Sequence, residues 1–112
     1  MYTTALVLFA IAAVGGATLA YMRIVKKDVS MPLALVHGVF AAAGLVTLVL
    51  AVAAMKSSGA TAALVVFLLA ALGGFTLFSF HLRTRPLPVP LVLIHGGAAV
   101  IAFLILLITA VM

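Results

Sequence analysis

The chain has 112 residues, of which 69% are apolar and only one is acidic, and its formal net charge is +5. Because this is more hydrophobic surface than a water-soluble domain of this size can bury, the composition predicts a membrane protein. Cysteine is absent, which excludes disulfides, thiolate metal sites and cysteine nucleophiles. The basic residues lie in short loops, where lipid headgroups are the usual partner, so we expect no nucleic-acid binding.

Four apolar runs cover most of the chain, at residues 3 to 22, 32 to 54, 60 to 80 and 90 to 112. Each run reaches the ~20 residues that a helix needs to cross a ~30 Å hydrocarbon core. The runs are apolar on every face, whereas the strands of a transmembrane β-barrel alternate in polarity. We therefore predict an all-α integral membrane protein, a four-helix up-down-up-down bundle that forms a single transmembrane domain over residues 1 to 112.

The ends of the predicted helices carry local signals. Ser30 is expected to cap the second helix, with Pro32 in its first turn, and Pro90 occupies the same place in the fourth. The segment after Leu82 is rich in proline, so the third helix is expected to end near that residue.

The loops differ sharply in charge. The two hairpin loops contain five basic residues, whereas the loop between the second and third helices offers only Lys56. By the positive-inside rule, we expect the hairpin loops in the cytoplasm and both termini outside, in a bacterial inner membrane. The five basic residues are Arg23, Lys26, Lys27, Arg83 and Arg85.

The chain contains an internal repeat. Residues 2 to 54 align without a gap with residues 60 to 112, and the matches include a glycine pair, a threonine, a proline and a His-Gly pair. Each copy is a hairpin with two spans, so both copies point the same way and form parallel repeats.

Helix positions place the repeated polar and small residues in one layer. His37 and His95 each lie about six residues into a helix from the end with the basic loops, ~7 to 10 Å below the interface. Two glycine pairs on the other helices lie at the same depth, and two threonines lie one turn closer to the basic loops. The glycines are Gly15, Gly16, Gly73 and Gly74, and the threonines are Thr18 and Thr76.

Three interpretations of this layer remain open. In the first, His37 and His95 project from diagonal helices as the two axial ligands of a b-type haem. The glycines then leave room for the porphyrin, Thr18 or Thr76 accepts a hydrogen bond from the other imidazole nitrogen, and the basic side chains meet the propionates. In the second, the layer only packs helices, each histidine bonding to a threonine or a backbone carbonyl. In the third, it binds another ligand, although two histidines alone leave a metal ion under-coordinated.

The four-helix plan with paired histidines resembles the small four-helix integral membrane b-type cytochromes. That resemblance rests on His37, His95 and the glycine pairs, and implies haem held by paired histidines between helices. The size and plan also resemble the small multidrug transporters, but those depend on an acidic residue within the membrane. Here the only acid is Asp28, in a loop, which argues against proton-coupled export.

The leading functional prediction is one-electron transfer by a bis-histidine haem b, exchanging with a quinone or a redox partner subunit. One haem near one face would not carry an electron across the membrane. The alternative is a non-catalytic accessory subunit of a larger membrane complex, or a homo-oligomer, packed through small residues. His81, at the membrane edge beside Arg83, is interpreted as a solvated basic residue or a headgroup contact rather than a ligand or proton carrier. The small residues that would pack an accessory subunit against its partners are Gly38, Ala42, Gly44, Gly96, Gly97 and Ala99.

Overall fold

The computed structural model describes residues 2 to 112 and consists of four helices joined by short loops. The helices are α1 (Tyr2–Ile24), α2 (Met31–Met55), α3 (Ser58–Leu82) and α4 (Val89–Val111). All four are long and apolar enough to cross a membrane, and no strand occurs within residues 2 to 112. The predicted all-α four-helix integral membrane bundle is therefore confirmed.

The helices begin and end where the local chemistry predicts. The Ser30 hydroxyl accepts a hydrogen bond from the backbone N–H of Leu33, which caps α2. Ser57 caps α3 in the same way, through the N–H of Ala60. The third helix ends at Leu82, as expected from the prolines that follow. These caps satisfy backbone donors that a helix start otherwise leaves without partners.

The two hairpins follow the same plan. Ile24 and Leu82, the last residues of α1 and α3, are 58 positions apart, as are Met31 and Val89, the first residues of α2 and α4. Each helix packs against two neighbours, so α1 lies diagonal to α3 and α2 lies diagonal to α4. The contacts within each hairpin are more extensive than those between the hairpins. The seam between hairpins is thus the looser part of the bundle.

The closed core lies at the end of the bundle that carries the termini. Phe9 of α1 and Phe67 of α3 stack across the diagonal, with ring centroids 3.8 Å apart and planes within 6°. Gly44 of α2 makes room for the Phe9 ring, since a Cβ there would lie 2.9 Å from it. Buried residues from all four helices complete this core: Ala5, Leu48, Ala60, Ala63, Ala102 and Leu106. The opposite end, which carries the two basic loops and is called the basic end below, is less completely filled.

Candidate functional site

His37 and His95 meet across the bundle, on the basic-end side of the closed core. Their ring centroids are 6.2 Å apart and the ring planes are nearly perpendicular, at 89°. Both side chains are half-buried. The structure thus brings together two residues that are 58 positions apart in sequence, because diagonal helices present them toward the same axis.

Each imidazole is held by a backbone carbonyl of its own hairpin. The Nδ1 atom of His37 lies 2.7 Å from the carbonyl oxygen of Ala12, and that of His95 lies 2.6 Å from the carbonyl oxygen of Ala70. A carbonyl oxygen only accepts hydrogen bonds, so Nδ1 carries the proton and donates it. In a neutral ring, Nε2 then keeps its lone pair. Within residues 2 to 112, neither Nε2 has a hydrogen-bond partner, and neither is sealed inside the protein.

The glycine pairs accommodate the imidazole rings. A Cβ at Gly16 would lie 2.9 Å from Cε1 of His37, and one at Gly74 would lie 3.0 Å from Cε1 of His95. Gly15 and Gly73 lie beside the histidine Cβ atoms at ordinary contact distance. The sequence predicted bare backbone at this depth for a porphyrin to pass. The structure instead gives these glycines the histidine side chains as neighbours, and the imidazoles packed against Gly16 and Gly74 leave no room for a Cβ there.

The threonines do not take the place expected for them. The hydroxyl of Thr18 donates to the carbonyl of Val14, and that of Thr76 donates to the carbonyl of Leu72, each within its own helix. Both threonines are exposed. The interpretation of Thr18 and Thr76 as partners of the imidazoles is corrected accordingly: backbone carbonyls one turn beyond the glycines accept those hydrogen bonds. A threonine inside a helix satisfies its hydroxyl locally, and sequence spacing alone did not reveal this.

An apolar cavity of about 690 Å³ extends from the stacked phenylalanines toward the basic end. Both histidines line it, as do Gly16 and Gly74, and its wall is built largely from alanine, valine, leucine and phenylalanine. The cavity is partly open, and some of the side chains that line it are exposed, among them Leu35, Val39 and Phe75. Its volume lies within the ~300 to 1,000 Å³ typical of pockets for small molecules and cofactors.

The hairpins are tied to each other at the basic end by two equivalent contacts. Nε of Arg23 donates to the carbonyl of Leu87, and Nε2 of His81 lies 3.1 Å from the carbonyl of Val29. Arg23 and His81 are repeat equivalents, 58 positions apart, and so are Val29 and Leu87. His81 is therefore half-buried and bonded rather than solvated, which corrects the expectation from sequence. The alignment of His81 with Arg23 in the repeat was the sequence signal for this contact, because both side chains offer an N–H donor at that position.

Residues 2 to 112 contain no group of three or more His, Cys, Asp or Glu side chains that together would hold a metal ion. A ligand at this site would thus meet two imidazole nitrogens and otherwise apolar walls. No protein-family model matches the chain, and no match is found among curated protein sequences or solved structures.

Proposed function

We propose that the protein is a small membrane b-type cytochrome in which His37 and His95 would hold one haem. The 6.2 Å between the ring centroids carries this proposal. Two imidazoles at this distance, carried by diagonal helices, would both be able to ligate one iron, since each metal–nitrogen bond is ~2 Å long.

The state of the imidazoles also supports metal binding. Both rings donate Nδ1–H to a backbone carbonyl, which is the usual way proteins orient a histidine ligand and make its other nitrogen more basic. Both leave Nε2 without a protein partner. An iron in a porphyrin needs only two further ligands, so two histidines suffice for haem, whereas a bare metal ion needs more.

The apolar cavity supplies the surroundings that a haem needs. When bound, haem supplies reversible one-electron chemistry at its iron. The protein holds the two imidazoles, fixes their tautomer and surrounds the site with apolar side chains, which disfavour net charge there and so would influence the potential of a bound haem. Exposed apolar side chains, including Leu35, Val39 and Phe75, line the cavity and would face the lipid layer in a membrane-spanning bundle. Exchange with a quinone or an adjacent redox subunit is the corresponding route for the electron. By the positive-inside rule the basic loops face the cytoplasm, in a bacterial inner membrane.

An absorption spectrum of the detergent-purified protein tests the proposal. We expect a Soret band in the wild-type protein expressed with ample haem, and its loss in both His37→Ala and His95→Ala. His81→Ala is the control for removal of a histidine: His81 is half-buried at the basic end of the cavity, but its Nε2 bonds to the Val29 carbonyl and it lies outside the paired layer. A colourless wild-type protein, or a Soret band retained in both variants, would refute the assignment.

The alternative is an accessory subunit without a cofactor, and one observation favours it. Each imidazole already bonds to a carbonyl and packs against glycine within its own hairpin, which is a complete structural role. Gly38 and Gly97 are exposed with open space beside them, as helix contacts require. Gly44 is instead buried under Phe9, so it takes no part in such a surface. A colourless protein that co-purifies with a membrane complex would support this reading.

A further inference from the structure

A second cavity, called the basic pocket, lies between the two hairpin loops at the basic end. Its volume is about 650 Å³, and four arginine and lysine side chains line it together with a single carboxylate, that of Asp28. The cations are Arg23, Lys26, Lys27 and Arg85. Because one carboxylate offsets only one of the four positive charges, the pocket attracts anions.

The walls of the basic pocket are fixed by the reciprocal contacts between hairpins. Arg23 uses Nε to reach Leu87, which leaves its terminal guanidinium nitrogens for an anion. Lys26 and Thr84, which are repeat equivalents, both adopt a left-handed backbone conformation, with φ of 60° and 53°. Non-glycine residues pay for this conformation, so its occurrence in both loops marks them as held in a defined shape.

The basic pocket is continuous with apolar surface. Val29, His81 and Leu87 line both the basic pocket and the apolar cavity. A ligand that fits this junction has an anionic group and an apolar chain. We propose that the basic pocket binds the phosphate group of an anionic phospholipid, whose acyl chains follow the apolar helices toward the bilayer centre. This inference rests on charges and contacts at the basic end and does not require haem.

Arginine is suited to this ligand because its planar guanidinium donates two parallel hydrogen bonds to phosphate oxygens. Arg85 lines the pocket, whereas Arg83, two residues away, points elsewhere. The guanidinium of Arg83 donates to Ser79 and lies 5.3 Å from the Phe80 ring. Replacing Arg83 or Arg85 by glutamine removes the same charge from the same loop, but only Arg85 lines the pocket. Comparing the two variants therefore distinguishes lipid binding in the pocket from general electrostatic attraction to the loop.

Native mass spectrometry of the detergent-solubilised full chain tests the proposal, with phosphatidylglycerol, phosphatidylcholine and inorganic phosphate as probes. We expect the wild type to retain one phosphatidylglycerol and no phosphatidylcholine. Arg85→Gln weakens retention about tenfold, as loss of a charge-assisted hydrogen bond implies, whereas Arg83→Gln stays near the wild type. Lys27→Gln is the second pocket variant, and circular dichroism verifies that each variant is folded.

Four outcomes would overturn the inference. An equal loss of phosphatidylglycerol retention in Arg83→Gln and Arg85→Gln means that the lipid responds only to the overall charge of the loop. Equal retention of phosphatidylcholine means that phosphate charge is not recognised. Displacement of the lipid by an equal concentration of inorganic phosphate means a site for free phosphate. Displacement by one equivalent of haem means that the pocket serves propionates, a result that would strengthen the cytochrome proposal while refuting the lipid site.

Discussion

Alanine at Gly16 or Gly74 is expected to displace an imidazole, whereas alanine at the preceding glycine is not. A Cβ at Gly16 would lie 2.9 Å from Cε1 and 3.3 Å from Nδ1 of His37. Carbon atoms in contact prefer about 3.5 to 4.0 Å, so the ring must move by at least ~0.6 Å. A Cβ at Gly15 would lie 3.5 Å from the nearest atom of His37, which is an ordinary contact.

The expected cost follows from two terms and is offset by a third. Displacing the ring lengthens the 2.7 Å hydrogen bond to the Ala12 carbonyl, and such bonds between membrane helices contribute ~0.6 to 1.7 kcal/mol. Overpacking adds ~1 to 3 kcal/mol where the ring has no free direction. Replacing glycine by alanine inside a helix returns up to ~1 kcal/mol. A matched glycine-to-alanine variant gains that same helix term, so Gly16→Ala should be less stable than the matched variant by the first two terms together, about 2 to 5 kcal/mol.

Unfolding in mixed micelles with increasing sodium dodecyl sulfate, followed by circular dichroism, measures this difference. Gly15→Ala is the neighbouring control, and Gly38→Ala is a second control because a Cβ there meets nothing within 4 Å. Gly74→Ala should repeat the loss in the other hairpin, where a Cβ would lie 3.0 Å from His95. If Gly15→Ala and Gly16→Ala unfold at the same detergent fraction, the tight packing of the imidazole on Gly16 is refuted.

Three further predictions address the threonines and the closed core. Thr18→Val and Thr76→Val should leave any Soret band unchanged, because the hydroxyls bond to their own helices; a shifted band would show that they reach the imidazoles. Tyr2→Phe should raise the free energy of unfolding by up to about 1 kcal/mol, since the Tyr2 hydroxyl is buried without a partner among residues 2 to 112; a loss of stability would contradict this. Gly44→Ala should lower the free energy of unfolding by about 1 to 3 kcal/mol, because its Cβ would press on the Phe9 ring; an unchanged unfolding curve would contradict that packing.

Particular residues show how far sequence reasoning reached. The apolar runs predicted four spanning helices, and the serine and proline signals predicted the start of α2 at Ser30 and the end of α3 near Leu82, because helix caps and proline act within a few residues. Counting residues along each helix also placed His37 and His95 at one depth. These are short-range properties, determined by the chain itself.

Other features depended on distant parts of the chain. The partners of the imidazoles are carbonyls of Ala12 and Ala70, each 25 positions away, and backbone carbonyls are present at every residue, so no pattern singles these out. The sequence predicted that the glycine pairs leave room for a porphyrin, whereas the structure places histidine side chains against them. Only the packed helices show which side chain lies beside a glycine. The contact of His81 with the Val29 carbonyl could not be predicted from the sequence either, since it forms only when the two hairpins pack together.

The sequence alone determined a membrane bundle of two similar hairpins, because hydrophobicity, charge asymmetry and repetition are properties of the linear chain. Only the tertiary structure decided that two imidazoles lie 6.2 Å apart beside an apolar cavity. It also decided that a basic pocket adjoins that cavity at Val29, His81 and Leu87, where the two hairpins contact each other. The physical reason is that rotation of each helix about its axis, which directs side chains inward or outward, is set by how neighbouring helices pack.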